Sequence, residues 1–371
     1  MEQEAQQLLL HGIETHELDW AKDEMPPLPT QKRGSKWWLL VALYIFFVIS
    51  GQAIASLLGR LYYDKGGNSK WMQSIVVTAG FPFLIPILLF CYCNPSSNLN
   101  SHNSNSTINN TSPSIITLSL LYASFGIFFA VDNLMYSYGL LYLPVSTFSL
   151  VSATQLAFNV IFSYFLNSLK FTPFVLNSVV LLTISALLLA LHSDESNVPI
   201  GITKAQYVVG LLCTICASAL FSLLLSLTQL SFEKVLKMET FSVKLEMQIY
   251  PAMVGTCVCL MGLFASGEWS SLKGEMEQFG GMSYVMILVW TTMAWTAFFV
   301  GTMGLIFEVS SLFMNVISTV SLPIVPILAV IFFHDKMDGV KVVALLLAIW
   351  GFVSYMYQNY LDDLKSKATT E

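Results

Sequence analysis

Residues 128–147 read FFAVDNLMYSYGLLYLPVST. Aromatic and aliphatic side chains fill most of this run, and Tyr142, Leu143 and Pro144 supply a turn so short that the apolar stretches on either side must fold back on one another. The stretch therefore predicts the end of one membrane-crossing helix, a tight connection and the start of the next. Asp132 stands inside the first of them. A carboxyl in hydrocarbon is expensive, so it is expected to face a protein-lined cavity and to carry a role.

Outward from this stretch, composition agrees with a membrane chain. Of the 371 residues, 55% are hydrophobic and only 11% are charged. The net charge of −6 and the absence of a basic cluster exclude a nucleic-acid partner. Windows of about 20 residues, enough to cross ~30 Å of hydrocarbon, predict an all-α membrane protein with ten transmembrane helices. They lie near 37–60, 71–93, 115–140, 144–166, 173–192, 206–230, 247–266, 283–303, 306–333 and 339–359. With both ends in the cytosol, 10 of the 17 Lys and Arg fall on the inner side, in the positive-inside direction.

The chain then divides into a cytosolic N-terminal tail without fixed structure (1–36), a first five-helix repeat (37–192), a second (193–359) and a cytosolic C-terminal tail (360–371). A segment at 231–246, with Phe232, Val235 and Leu236 on one face, is expected to lie along the inner membrane surface as an amphipathic linker between the halves. The uncharged Asn/Ser loop at 94–114 carries sequons at Asn105, Asn109 and Asn110; this topology puts them in the cytosol, unglycosylated. At an offset of 164, Val145, Ser146 and Thr147 fall on Val309, Ser310 and Ser311; at 163, the run from Val179 falls on that from Val342. Five helices per half is an odd number, so the second half enters the membrane from the opposite side, the inverted-repeat plan of many transporters. Gly51, Ala55 and Gly59 predict close helix packing, and Pro82, Pro86, Pro323 and Pro326 predict kinks.

No Lys or Arg lies deep in a predicted span, which excludes phosphorylated sugars and nucleotide sugars as cargo. What the spans contain instead is amides and rings: Gln52, Asn133, Gln155, Asn159 and Asn315, with Tyr136, Trp290, Trp295 and Phe299. An amide presents a donor and an acceptor side by side, matching an adenine-like edge, while aromatic faces stack on flat heterocycles. The expected substrate is thus a neutral planar nitrogen heterocycle. Candidate substrate-binding residues are Gln52, Asn133, Tyr136, Gln155, Asn159, Trp295 and Asn315; for each single amide the competing reading is interhelical hydrogen-bonding. Asp132 is the candidate proton-coupling residue, because burial opposes a carboxylate's charged form and lets it take up a proton on one face and release it on the other. Glu308 is expected to sit at a helix N-terminus that favours its charge. Neither a nucleophile with its base nor a set of metal ligands converges, and Cys213-x-x-Cys216 lacks a second pair or a nearby His, so no enzyme activity, metal or cofactor is expected.

The runs at 50–74, 142–178 (YLPVSTFSLVSATQLAFNVIFSYFLNSLKFTPFVLNS) and 304–358 resemble the plant purine permeases, a branch of the drug/metabolite transporter superfamily. The likeness covers nearly the whole membrane region; within it, Met314 and Ser321 stand where the family more often has a small polar residue and a glycine. The resemblance implies ten helices and proton-coupled uptake of adenine, cytokinin bases and related heterocycles. The expected partners are such a heterocycle, protons and the lipid bilayer, in the plasma membrane or, alternatively, the vacuolar membrane. Transport of plant alkaloids, export rather than import, and a non-transporting membrane receptor for the same ligands are the alternatives.

Overall fold

The computed structural model describes residues 35–93, 114–166, 172–191, 202–236, 241–321, 324–334 and 337–368. The N-terminal tail to residue 34, the sequons and Pro323 lie outside the described residues. By contacts the chain separates into Met1–Leu40, described only from Ser35, and Val41–Glu371, which holds everything discussed below.

The described residues form helices and turns without a strand. We number the α-helices α1 (Ser35–Asp64), α2 (Lys70–Thr78), α3 (Ile85–Cys93), α4 (Ile115–Tyr142), α5 (Val145–Ser152), α6 (Gln155–Leu166), α7 (Pro173–Leu191), α8 (Lys204–Ser231), α9 (Phe241–Ser266), α10 (Leu272–Phe279), α11 (Met282–Glu308), α12 (Ser311–Ser321), α13 (Ile324–Phe333) and α14 (Gly339–Ala368). Seven segments are long and apolar enough to cross a membrane: Trp37–Asp64, Lys70–Phe90, Ile115–Tyr142, Val145–Leu166, Lys204–Leu236, Ser242–Ser266 and Met282–Glu308. Shorter apolar stretches run at Leu176–Ser185 in α7 and Gly339–Ser354 in α14. The protein is therefore an integral, multi-pass, all-helical membrane protein. Phe90, Ile331, Phe332 and Leu346 stay exposed, as suits side chains that meet lipid rather than water.

Three of the expected spans are broken helices. The second splits into α2 and α3 across a tight turn, Phe81–Phe83; Pro82 lies in that turn and Pro86 near the start of α3, where a missing N–H costs little. The fourth breaks at Ala153 and Thr154, between α5 and α6. The ninth was expected as one helix over 306–333, but Gly304–Glu308 completes α11 and the remainder is divided into α12 and α13. The halves of the fourth and ninth segments cross: α5 packs on α13 and α6 on α12.

Around this crossing, α4 runs along α8 and α9, and α7 along α14. Gly51 explains the approach of α1 to α11: a Cβ there would sit 2.7 Å from the Ala294 carbonyl oxygen and 2.8 Å from the Phe298 nitrogen. At one end of the bundle, the turn from Gly66 to Ser69 is held by two carboxylates of the segment leading into and through α10. Glu275 accepts from Tyr62 Oη at 2.7 Å and from the Asn68 N–H at 3.0 Å; Glu268 accepts from Ser69 Oγ at 2.8 Å and pairs with Lys70 at 3.1 Å. Arg60, paired with Asp64 at 2.8 Å, also donates to the Leu140 and Leu143 carbonyls at 3.2 and 3.0 Å, groups that the ending of α4 leaves without helical donors.

At the other end lies the region 231–246, of which 237–240 fall outside the described residues. Phe232–Leu236 continues α8 as a π turn, and Phe241 already opens α9, with Val243 and Leu245 buried. Apolar faces at helix ends find protein neighbours there and need no lipid surface. Glu308 is the last residue of α11 rather than the first of a helix; its charge is met by Lys244 Nζ at 2.6 Å, which also lies 3.6 Å from the centre of the Phe307 ring.

Candidate functional site

A cavity lies where α1, α2, α4, α5, α6, α8 and α11 converge. Helical periodicity decides which side chains reach it. On α4, Asp132, Asn133, Tyr136, Ser137 and Leu140 fall on one face at spacings of one, four, five and eight. On α11, Trp295, Phe298 and Phe299 repeat at three and four, and Phe148, Ser152 and Gln155 bracket the break between α5 and α6. Gln52, Ser56 and Gln73 complete the polar wall.

The aromatic wall is ordered: the Trp295 and Phe299 rings stack with centroids 5.8 Å apart, and Phe298 meets both edge-on. Phe221 and Phe299 also face a second, mostly apolar cavity whose lining includes Phe125, Phe129, Leu224 and Met247. No Lys or Arg lines either cavity.

Three atoms on the first cavity's wall are buried with no hydrogen-bond partner among the described residues: Asp132 Oδ1, Gln73 Oε1 and Trp295 Nε1. Two are acceptors in this form and one is a donor. Buried polar atoms are normally paired, so the wall is chemically complete only when something polar enters. Other lining groups are already engaged. Asn133 Nδ2 donates to the Phe129 carbonyl at 2.7 Å, Tyr136 Oη donates to Ser218 Oγ at 3.3 Å, and Ser137 Oγ pairs with Ser74 Oγ at 3.1 Å.

The two glutamines are joined through α12. Gln155 Nε2 donates to Ser318 Oγ at 3.0 Å, and Ser318 Oγ donates to Gln52 Oε1 at 2.9 Å; Ser321 Oγ reaches the same oxygen at 2.5 Å. The sequence-predicted residues Gln52, Asp132, Asn133, Tyr136, Gln155 and Trp295 are thus brought to one cavity. Asn159 and Asn315 do not line it. Asn159 Oδ1 accepts from Ser226 Oγ at 3.0 Å, and Asn315 Nδ2 donates to the Gln155 carbonyl at 3.1 Å, alongside Ser222 Oγ at 2.6 Å. Trp290 is exposed on the outside of α11, and Met314 is fully buried.

Sequence reasoning missed Gln73, Ser56, Ser137 and Ser152. Gln73 is an amide in an apolar span and carried the same signal as Gln52. The hydroxyls carry less: small residues at spacing four, such as Thr214, Ser218, Ser222 and Ser226 on α8, mark a packed polar stripe, and the first three of these bond back to their own helix at 2.7–2.9 Å.

Comparison with known proteins adds the family. Residues 39–365 match the model of a family described as purine nucleobase transmembrane transport. Among curated proteins of Arabidopsis thaliana, Probable purine permease 11 is 56% identical over 343 residues, 91% of this chain and 88% of that protein. Probable purine permease 6 is 51% identical, covering 92% and 89% of the two chains, and Purine permease 21 is 53% identical, covering 91% and 84%.

Proposed function

This chain belongs to the purine nucleobase transmembrane transport family, and from that premise we propose that it is a proton-coupled importer of neutral purine bases and their derivatives, such as adenine and cytokinins. In this reading ten helices cross the membrane as two inverted five-helix repeats, with both ends in the cytosol. The fourth and ninth segments both break and pack half against half, and the fourth lines the cavity on either side of its break; discontinuous helices meeting at a repeat interface are where such transporters hold their cargo.

The observation that carries the reading is the cavity wall: one unpaired donor, Trp295 Nε1, unpaired acceptors at Gln73 Oε1 and Asp132 Oδ1, a stacked aromatic face and no cation. A flat, uncharged heterocycle with both donors and acceptors on its rim satisfies all four features, whereas an anionic cargo finds no cation to offset its charge and brings it beside the Asp132 carboxyl. The apolar cavity past Phe221 and Phe299 is a place for a hydrocarbon substituent on the base. Asp132 has no cation to meet it on this wall, so a proton is the partner that lets the loaded cavity move without a buried bare charge.

Uptake of radiolabelled adenine and trans-zeatin into yeast lacking purine uptake of its own, at acid and neutral external pH with and without a protonophore, tests this. Acid-stimulated, protonophore-sensitive accumulation is expected, and Asp132→Asn should abolish concentrative uptake by at least about tenfold while leaving binding of adenine to the purified protein in place. Accumulation by Asp132→Asn that still follows the pH gradient would make Asp132 structural; absence of uptake by correctly localised wild type would refute the importer.

A further inference from the structure

We propose that Ser318, which does not itself line the cavity, sets the hydrogen-bond polarity that the cavity shows to its cargo. The proposal rests on the nucleobase reading above and assigns a residue to specificity within it.

A serine hydroxyl carries a single hydrogen, so between two amides it donates to one and accepts from the other. Ser318 Oγ does this, accepting from Gln155 Nε2 at 3.0 Å and donating to Gln52 Oε1 at 2.9 Å. The remaining halves of the two amides, Gln52 Nε2 and Gln155 Oε1, have no partner among the described residues, and both glutamines line the cavity. One amide therefore offers N–H donors and the other a C=O acceptor, joined through Ser318. Ser321 Oγ also approaches Gln52 Oε1 at 2.5 Å, but its single hydrogen is shared with the Ser318 carbonyl at 2.7 Å, so Ser318 is the donor that sets the direction. Both glutamines and both serines are buried, so water does not compete for the inner bonds.

Without Ser318 the Gln155 amide loses the one side-chain bond it makes among the described residues and can turn about its last torsion, exchanging oxygen for nitrogen at the cavity face, while Gln52 keeps only Ser321. With it, the pair is locked as donor and acceptor in one order. Adenine and hypoxanthine test that order, because they carry the same two functions on one edge in opposite sequence: an amino donor beside a ring-nitrogen acceptor in adenine, a carbonyl acceptor beside a ring N–H in hypoxanthine.

Uptake of the two radiolabelled bases is measured side by side in cells expressing the full chain, with KM and Vmax separated and surface abundance quantified. Wild type should favour one base by at least about tenfold in KM, the discrimination a two-point polar contact supplies. Ser318→Ala should bring the ratio to within about threefold with Vmax per surface molecule largely kept, because the released Gln155 amide then presents either its oxygen or its nitrogen. Ser318→Cys, close to serine in volume and only a weak donor, should move the ratio the same way and carries the readout if the alanine variant fails to reach the membrane. Ser321→Ala, which leaves the Ser318 bonds in place, should change it least. A ratio in Ser318→Ala and Ser318→Cys equal to that of wild type, or a wild type that takes both bases equally, overturns the proposal alone. Uptake of neither base by wild type overturns the nucleobase reading and the proposal with it.

Discussion

Trp295 shows most clearly what a single residue does in this cavity: its ring stacks on Phe299 while its N–H, buried, points at no partner among the described residues. Trp295→Phe keeps the stack and removes the donor. The expected result is a KM for adenine raised about five- to tenfold with Vmax nearly unchanged, since a lost neutral hydrogen bond in a dry site is worth about 1–1.5 kcal/mol. A KM unchanged from wild type would mean that the indole serves packing alone. Six of the eight residues predicted from the sequence as site residues line the cavity, because an amide or carboxyl in an apolar span is legible without coordinates. Asn159 and Asn315 were equally legible as polar, but their sequence positions do not reveal that they turn toward Ser226 and the Gln155 carbonyl rather than into the space.

At the scale of elements, close packing is what places the walls. The contact of Gly51 with the backbone of Ala294 and Phe298 fixes how deeply α11 brings its three rings into the cavity. Gly51→Ala should therefore cost about 1–3 kcal/mol of stability through overpacking against backbone that cannot turn aside, and should lower uptake together with the melting temperature of the purified protein. Gly274→Ala is the matched control: a Cβ there meets nothing within 4 Å, and in α10 the change should be neutral or stabilising by about 1 kcal/mol or less. Equal effects of the two substitutions would refute the packing argument. The small-residue spacing at Gly51, Ala55 and Gly59 announced the close approach, and Pro82 and Pro86 announced the break in the second segment. The break after Ser152 was not announced by any proline or glycine, since Ala153 and Thr154 are compatible with helix; the crossing of α5 and α6 with α12 and α13 is a tertiary arrangement.

At the scale of the whole molecule, one end of the bundle is held by carboxylates that tie the turn between α1 and α2 to the segment before α11. Glu275 is nearly fully buried and serves two donors, Tyr62 Oη and the Asn68 N–H. Glu275→Ala takes away the Asn68 N–H's acceptor and leaves Tyr62 Oη only the Ser69 carbonyl at 3.5 Å, so a loss of about 1–3 kcal/mol in stability is expected, read as a lowered melting temperature, along with greater accessibility of a cysteine introduced at Asn68. Unchanged accessibility would show that this end is not held by Glu275. The sequence by itself determined that this is a multi-pass helical membrane protein, that its spans carry amides, aromatics and a deep carboxyl without a deep cation, and which family it resembles. These follow from composition and local order, because lipid forces every backbone group into a helix and makes each polar side chain in a span conspicuous. Which polar groups face the shared space, where helices break without a proline, and how Ser318 joins Gln52 to Gln155 across 266 and 163 residues were decided only by the tertiary structure. The direction of a side chain depends on which neighbour fills the other side of its helix, and that neighbour is supplied by a distant part of the chain.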